Sequence, residues 1–207
     1  MTRRKLVGTG ASALGLLIGA PAPVILPVHR IVDAHARCSP EDVTSFWWSI
    51  WPEAFREFSR SGIALQTTDG PGEIRRTAGD RPIFIGLRRG ALNLVLTDHL
   101  PLYWDNARAL AGMTVMLENV YHVCVIALRY AHGNQVPFLS LNTCVHEMLH
   151  AVMGDIFLRN RPDWFRAGEH ESRIDWYATE LWLFRGNSAL RESARVYVQR
   201  LATGARS

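Results

Sequence analysis

The sequence predicts an α+β fold, in which a small mixed sheet is backed by one helix and followed by two further helices. Three observations lead to this prediction. Apolar residues recur at helical spacing after Ser39, short apolar runs bounded by glycine and proline occupy residues 63–97 and 120–129, and a second helical pattern begins near residue 143. The 207 residues, 48% of them hydrophobic, are enough for one domain with a sizeable core.

Residues 1–36 are predicted to be a targeting segment, because a basic start, Thr2-Arg3-Arg4-Lys5, precedes an apolar, glycine-containing run. This start resembles a twin-arginine export signal, which implies a periplasmic or secreted protein. Ala34-His35-Ala36 is the preferred cleavage site, ahead of Ala20-Pro21-Ala22. The alternative is an uncleaved membrane anchor formed by residues 6–28, and membrane contact is expected only in that case.

A helix is predicted to begin at Ser39-Pro40-Glu41-Asp42, which supplies a capping serine, a proline at the first helical position and an acidic residue three positions after the cap. The helical pattern continues to Gly62, and Pro52 is expected to bend or divide it. The three tryptophans between residues 47 and 51 are compatible with a membrane-surface helix, but we favour a helix that covers the sheet.

Four strands are predicted from short apolar runs, and the last of them is the strongest candidate: Ile63 to Thr67, Ile83 to Leu87, Ala91 to Thr97 and Val120 to Arg129. Asp69-Gly70-Pro71-Gly72 indicates a turn after the first strand. Arg88-Arg89-Gly90 indicates a hairpin that joins the second strand to the third.

The charge and cysteine patterns exclude two classes of site. The formal net charge is +4, and the arginines that supply it are scattered along the chain. A nucleic-acid-binding arm would gather them in a block, so we predict no nucleic-acid partner. Cys38, Cys124 and Cys144 form no C-x-x-C pair, which argues against a cysteine zinc cluster or a thioredoxin-type redox site.

The stretch His146-Glu147-Met148-Leu149-His150 has the spacing H-E-x-x-H. Residues four apart share one face of an α-helix, so His146 and His150 can bind one Zn²⁺ while Glu147 acts on the water that the metal carries. A helical plot of residues 143–154 places these three side chains opposite a continuous apolar face. The pattern predicts a zinc centre on a helix that packs into the core.

A catalytic zinc site requires a third protein ligand. The H-E-x-x-H-x-x-G-x-x-H spacing is absent, because Met153 stands where that pattern has glycine. Glu171 is the preferred ligand, and Asp155 is a minor alternative. Asp175 lies four residues after Glu171 on a predicted helix, where it can accept the free N–H of a histidine ligand and fix the orientation of that ring.

H-E-x-x-H followed by E-x-x-x-D resembles the gluzincin branch of the zincin metallopeptidases. The resemblance covers residues 140–184 and implies a compact zincin-like fold, in which a C-terminal helix carries the third ligand and residues 120–129 form the strand at the edge of the cleft. The implied roles are zinc ligand for His146, His150 and Glu171, general base for Glu147, and ligand orientation for Asp175.

We therefore predict a zinc-dependent metallopeptidase that hydrolyses a peptide or protein substrate, with residues 37–207 as its single domain. His170 and Tyr177 are candidates for contact with the oxyanion or the substrate. Two alternatives remain open, a zincin-like protein that holds metal without cutting and a zinc hydrolase of a non-peptide amide. The presence of Glu147 argues against the inactive form, since loss of the base is the simplest way to lose the chemistry.

Overall fold

The computed structural model describes residues 22–76, 82–98, 112–118, 120–128, 141–160 and 188–203. These residues contain six strands: β1 (Val24–Asp33), β2 (Ile63–Arg76), β3 (Pro82–Ile85), β4 (Leu92–Thr97), β5 (Gly112–Leu117) and β6 (Tyr121–Ala127). The α-helices are α1 (Pro40–Ser45), α2 (Trp51–Arg60), α3 (Leu141–Asn160) and α4 (Ser188–Thr203). The predicted combination of helices with a mixed sheet is confirmed.

The six strands form one curled sheet in the order β3-β2-β1-β4-β6-β5. The four inner strands run parallel to one another, whereas β3 and β5 pair antiparallel at the two ends of this order. The main hydrophobic core lies between one face of the sheet and the helices, and a smaller apolar cluster covers the other face. α3 therefore packs on the face of the sheet that carries the main core.

β1 lies inside the segment that is predicted to be a targeting segment. It pairs with β2 on one side and β4 on the other, and it buries Leu26 and Val28 in the main core. Cleavage after Ala36 would remove this inner strand, and the position of cleavage remains a prediction. The same strand includes the last part of the alternative anchor, residues 6–28. No helix among the described residues is both long and apolar enough to span a membrane.

The helical region after β1 confirms the predicted start, and its hydrogen-bond pattern changes just before Pro52. The Ser39 hydroxyl accepts from the Asp42 amide, and the Asp42 carboxylate accepts from the Ser39 amide. Residues Phe46–Ile50 form a π-helical turn, and α2 follows with Pro52 in its first turn, where a missing N–H does no harm. α2 buries Phe58 in the main core and packs on β2, as expected of a backing helix.

The predicted turn at residues 69–72 is wrong, because β2 continues through it. Every residue up to Gly72 stays in register with β1. The glycines serve side-chain packing instead of chain reversal: a Cβ at Gly70 would lie 2.5 Å from Cε1 of His29, and a Cβ at Gly72 would lie 2.6 Å from Cγ2 of Ile31. Glycine at these two positions of β2 therefore leaves room for side chains of β1.

The predicted hairpin at residues 88–90 is also wrong. β3 pairs antiparallel with the end of β2, whereas β4 lies between β1 and β6. Gly86 and Gly90 both have positive φ angles, +89° and +72°, so the connection turns at two points and carries the chain away from β3. Two strands that are adjacent in sequence are therefore separated in the sheet.

The strand predicted at residues 120–129 is confirmed as β6, but its predicted place at the edge is wrong. β6 lies between β4 and β5, and its residues from Val123 to Ala127 are buried on both faces, as is typical of an inner parallel strand. Within the described part of the chain the outer strand on this side is β5, which the sequence pattern did not lead us to predict. Its pairs with β6 run from Gly112 with Ile126 to Leu117 with Tyr121.

Candidate metal centre

α3 carries the H-E-x-x-H motif, and the predicted division of the helix into two faces is confirmed. One face packs into the main core and has exposures of 2% or less at Val145, Met148, Leu149, Val152 and Met153. The face that bears the motif holds two half-buried imidazoles, His146 and His150, and the buried carboxylate of Glu147. Packing of the apolar face fixes the rotation of α3 about its axis and thereby the direction of the three polar side chains.

The two histidine rings converge on one point. Their Nε2 atoms lie 2.8 Å apart, the ring centroids lie 4.6 Å apart, and the potential ligand atoms of His146, Glu147 and His150 all lie within 4.8 Å of one another. Two nitrogen ligands of one tetrahedral zinc ion stand about 3.3 Å apart, so the rings need to separate by only about 0.5 Å. A pair of neutral imidazoles is also a donor set that suits zinc, and the residues present fit this metal.

Glu147 is held against β5. Its carboxylate Oε2 lies 2.7 Å from Oγ1 of Thr114, and its main-chain oxygen lies 2.8 Å from the same hydroxyl. A Cβ at Gly112 would lie 2.6 Å from Cγ and 2.8 Å from Oε1 of Glu147, closer than ordinary contact allows. Gly112 and Thr114 stand two apart on one strand and point to the same face. The carboxylate is thus enclosed by two positions of β5.

Two cysteines lie behind the motif but do not join the donor set. Cys124 Sγ is 3.2 Å from the main-chain oxygen of Glu147, and Cys144 is fully buried. Burial, followed by the negative charge of Glu147, raises the pKa of Cys144 to about 12. Burial likewise raises the pKa of Cys124 well above its ordinary value. Both side chains are therefore neutral thiols in the metal-free protein, and neither belongs to the cluster of potential ligand atoms formed by His146, Glu147 and His150.

The predicted third ligand and its neighbours fall outside the described residues: Glu171, Asp175, His170 and Tyr177. Their roles remain predictions. Asp155, the minor alternative, can reach the metal only if α3 ends next to it, but the helix continues to Asn160. The course of the helix backbone therefore disfavours Asp155 as the third ligand.

Gly112 and Thr114 were missed by the sequence analysis. A signal for their strand was present, because Met113, Val115 and Leu117 alternate with less apolar positions, as in a half-buried strand. Nothing in the local pattern pairs Thr114 with Glu147, which follows 33 residues later. That contact arises only when β5 joins the sheet beside α3.

Comparison with known proteins gives no relative, since no protein-family model, curated protein or solved structure matches the chain. The metal centre is therefore inferred from the geometry of α3 and β5 alone.

Proposed function

We propose that the protein is a zinc-dependent metallopeptidase, a compact zincin of the gluzincin type. One observation carries this proposal: the Nε2 atoms of His146 and His150 converge beside the buried carboxylate of Glu147. A divalent cation on the two imidazoles would balance the negative charge of the buried carboxylate beside them. In the metal-free pair one ring donates to the other, and a metal would replace that shared proton.

Each residue has a defined role in this proposal. His146 and His150 hold the metal together with Glu171, and Asp175 orients a ligand ring. When bound, zinc would supply Lewis-acid polarisation of the scissile carbonyl and lower the pKa of its water toward neutrality. Glu147 accepts a proton from the attacking water and delivers it to the leaving amine. His170 and Tyr177 remain candidates for contact with the oxyanion or the substrate.

β5 supports a peptide substrate over other amides. Among the described residues it is an outer strand of the sheet, paired with β6 on one side only. A peptide that adds to such a strand gains main-chain hydrogen bonds that require no particular side chain. Because Gly112 and Thr114 of this strand contact Glu147, a peptide aligned along β5 would pass close to the proposed base.

We also propose export of the protein, on the basis of the basic and apolar start of the chain. We propose that the removable segment ends before Val24, because cleavage there would keep β1 in the sheet. Ala20-Pro21-Ala22 is the small-residue site that meets this limit. Sequencing the amino terminus of protein recovered from its native host would identify the cleavage point.

The test of the proposed activity compares Glu147→Gln with a matched control, Glu41→Gln, at an exposed position of α1. Wild type, both variants and a chelator-treated sample are incubated with a peptide library, and zinc is measured by mass spectrometry. Wild type and Glu41→Gln should bind about one zinc per chain and cleave peptides, whereas Glu147→Gln should retain zinc and lose cleavage. Equal cleavage by Glu147→Gln, or cleavage unaffected by chelator, contradicts the proposal. Zinc binding without cleavage by any form would identify a metal-binding protein instead.

A further inference from the structure

We infer that Thr114 is a positioning residue, whose hydroxyl holds Oε2 of Glu147 and so fixes the orientation of the carboxylate that acts on the reacting water. This inference rests on the proposed function, because it assigns a partner to the base in that reaction. It adds a residue from outside the H-E-x-x-H motif, on a different element of the fold. The contact is short, 2.7 Å between Thr114 Oγ1 and Glu147 Oε2.

The single proton of the hydroxyl has three nearby acceptors, which are Oε2 and the main-chain oxygen of Glu147 and, farthest away at 3.4 Å, the sulfur of Cys124, a weak acceptor. Charge decides between the two oxygens. Thr114 Oγ1 lies 2.8 Å from the main-chain oxygen of Glu147, slightly farther than from Oε2. That carbonyl lies inside α3, where it already accepts an amide hydrogen from the next turn of the helix. An ionised carboxylate oxygen is the stronger acceptor, with hydrogen bonds about twice as strong as those between neutral groups. Thr114 therefore donates to Oε2.

Cys124 strengthens this assignment from the neighbouring strand. Its Sγ lies 3.2 Å from the main-chain oxygen of Glu147 and 3.4 Å from Thr114 Oγ1. Since burial keeps Cys124 as a thiol, its S–H can donate to that carbonyl as a second, weak bond. The carbonyl then has donors without Thr114, and the hydroxyl proton remains available to the carboxylate.

Gly112 leaves room for the carboxylate of Glu147 beside the backbone of β5. A Cβ there would lie 2.8 Å from Oε1 and 3.0 Å from Cδ of Glu147, so the side chain rests directly against the strand backbone. Thr114 fixes Oε2 at one point while Gly112 provides the space for Oε1 beside it. A base fixed in this way enters the reaction already oriented, which lowers the activation free energy without requiring tighter substrate binding.

The test is a set of three variants in the full chain loaded with zinc, assayed with one peptide that wild type cleaves. Thr114→Val keeps the shape of the side chain but removes the donor, Thr114→Ser restores the donor, and Thr67→Val is the matched control at an exposed position of β2. Thr114→Val should lower kcat by about 10-fold to 100-fold, from the loss of one hydrogen bond to a charged group, with KM changed less than about twofold. Thr114→Ser should recover most of kcat, and zinc content should stay at the wild-type level in all three.

A second readout does not depend on activity. Crystal structures of the metal-free wild type and Thr114→Ser should show one conformation of Glu147 with Oε2 on the hydroxyl, whereas Thr114→Val should show a displaced or divided carboxylate. Wild-type kcat in Thr114→Val, no rescue by Thr114→Ser, or an unmoved carboxylate in Thr114→Val overturns the inference. If hydrolysis still requires Glu147 in these cases, the inference fails alone. Hydrolysis that is independent of Glu147 removes the proposed function and the inference together.

Discussion

Replacement of Gly112 by alanine should strongly lower the proposed peptidase activity while the protein stays folded. The added Cβ would lie 2.6 Å from Cγ of Glu147 and 2.8 Å from Oε1. Carbon atoms in ordinary contact are about 3.5–4.0 Å apart, so the two groups must separate by about 1 Å. Because Cγ is close to the α3 backbone, the separation requires a new rotamer of Glu147 or a shift of β5, and either one moves the carboxylate.

The sizes of the loss of activity and of the loss of stability both follow from this displacement. Misplacement of a catalytic group by about 1 Å costs on the order of 100-fold in rate. Overpacking of this kind lowers the free energy of unfolding by about 1–3 kcal/mol. We therefore expect Gly112→Ala to bind zinc, to unfold at a modestly lower urea concentration, and to hydrolyse peptide about 100-fold more slowly than wild type.

Gly70→Ala is the matched control. Its Cβ would lie 2.5 Å from Cε1 of His29, so it introduces a similar steric clash. This clash is on β2, which is separated from β5 by three strands in the order of the sheet. It should lose stability as Gly112→Ala does and hydrolyse peptide at the wild-type rate. Wild-type activity in Gly112→Ala, or an equal loss of activity in Gly70→Ala, would refute the reasoning that β5 sets the position of Glu147.

Two further predictions concern stability. Burial, and after it the positive charge of Arg200, lowers the pKa of His122 from 6.5, so its stabilising contribution is complete above that pH and is lost as the pH falls below it. Urea unfolding should show that the free energy of unfolding falls less between about pH 7.5 and pH 5 in His122→Gln than in wild type, and equal falls would contradict the assignment. Asp33 accepts from the Ile74 amide at 2.9 Å and from the Thr97 hydroxyl at 3.1 Å, both inside the fold. Asp33→Ala should lower the free energy of unfolding by about 2–3 kcal/mol in the same assay, without loss of zinc, and a change under about 0.5 kcal/mol would show that these bonds do not stabilise the native state.

Features that depend on local spacing could be predicted from the sequence. The cap at Ser39, the interruption before Pro52 and the two faces of α3 are set by residues within one or two turns of one another. The H-E-x-x-H motif belongs to the same class, since its ligands belong to one helix. For this reason the position and rotation of the motif helix were the most reliable part of the sequence analysis.

Features that depend on the neighbours of a strand could not be predicted in this way. β1 begins with the apolar run Val24 to Val28, and such a run has the same composition as the apolar part of an export signal. Its place as an inner strand depends on its pairing with β2 and β4. Gly70 and Gly72 resemble turn residues in sequence, but their role is to admit His29 and Ile31 from β1. The Thr114 contact with Glu147 joins two elements, and no local pattern encodes it.

The most direct test of the account is the location of zinc in a crystal of the zinc-loaded protein, measured by anomalous scattering at the zinc edge. We predict one ion on the Nε2 atoms of His146 and His150, with the carboxylate of Glu171 as the third protein ligand and Glu147 beside the ion but not bound to it. Zinc at another site, or no zinc peak at this histidine pair, would contradict the central claim that α3 carries a catalytic metal centre.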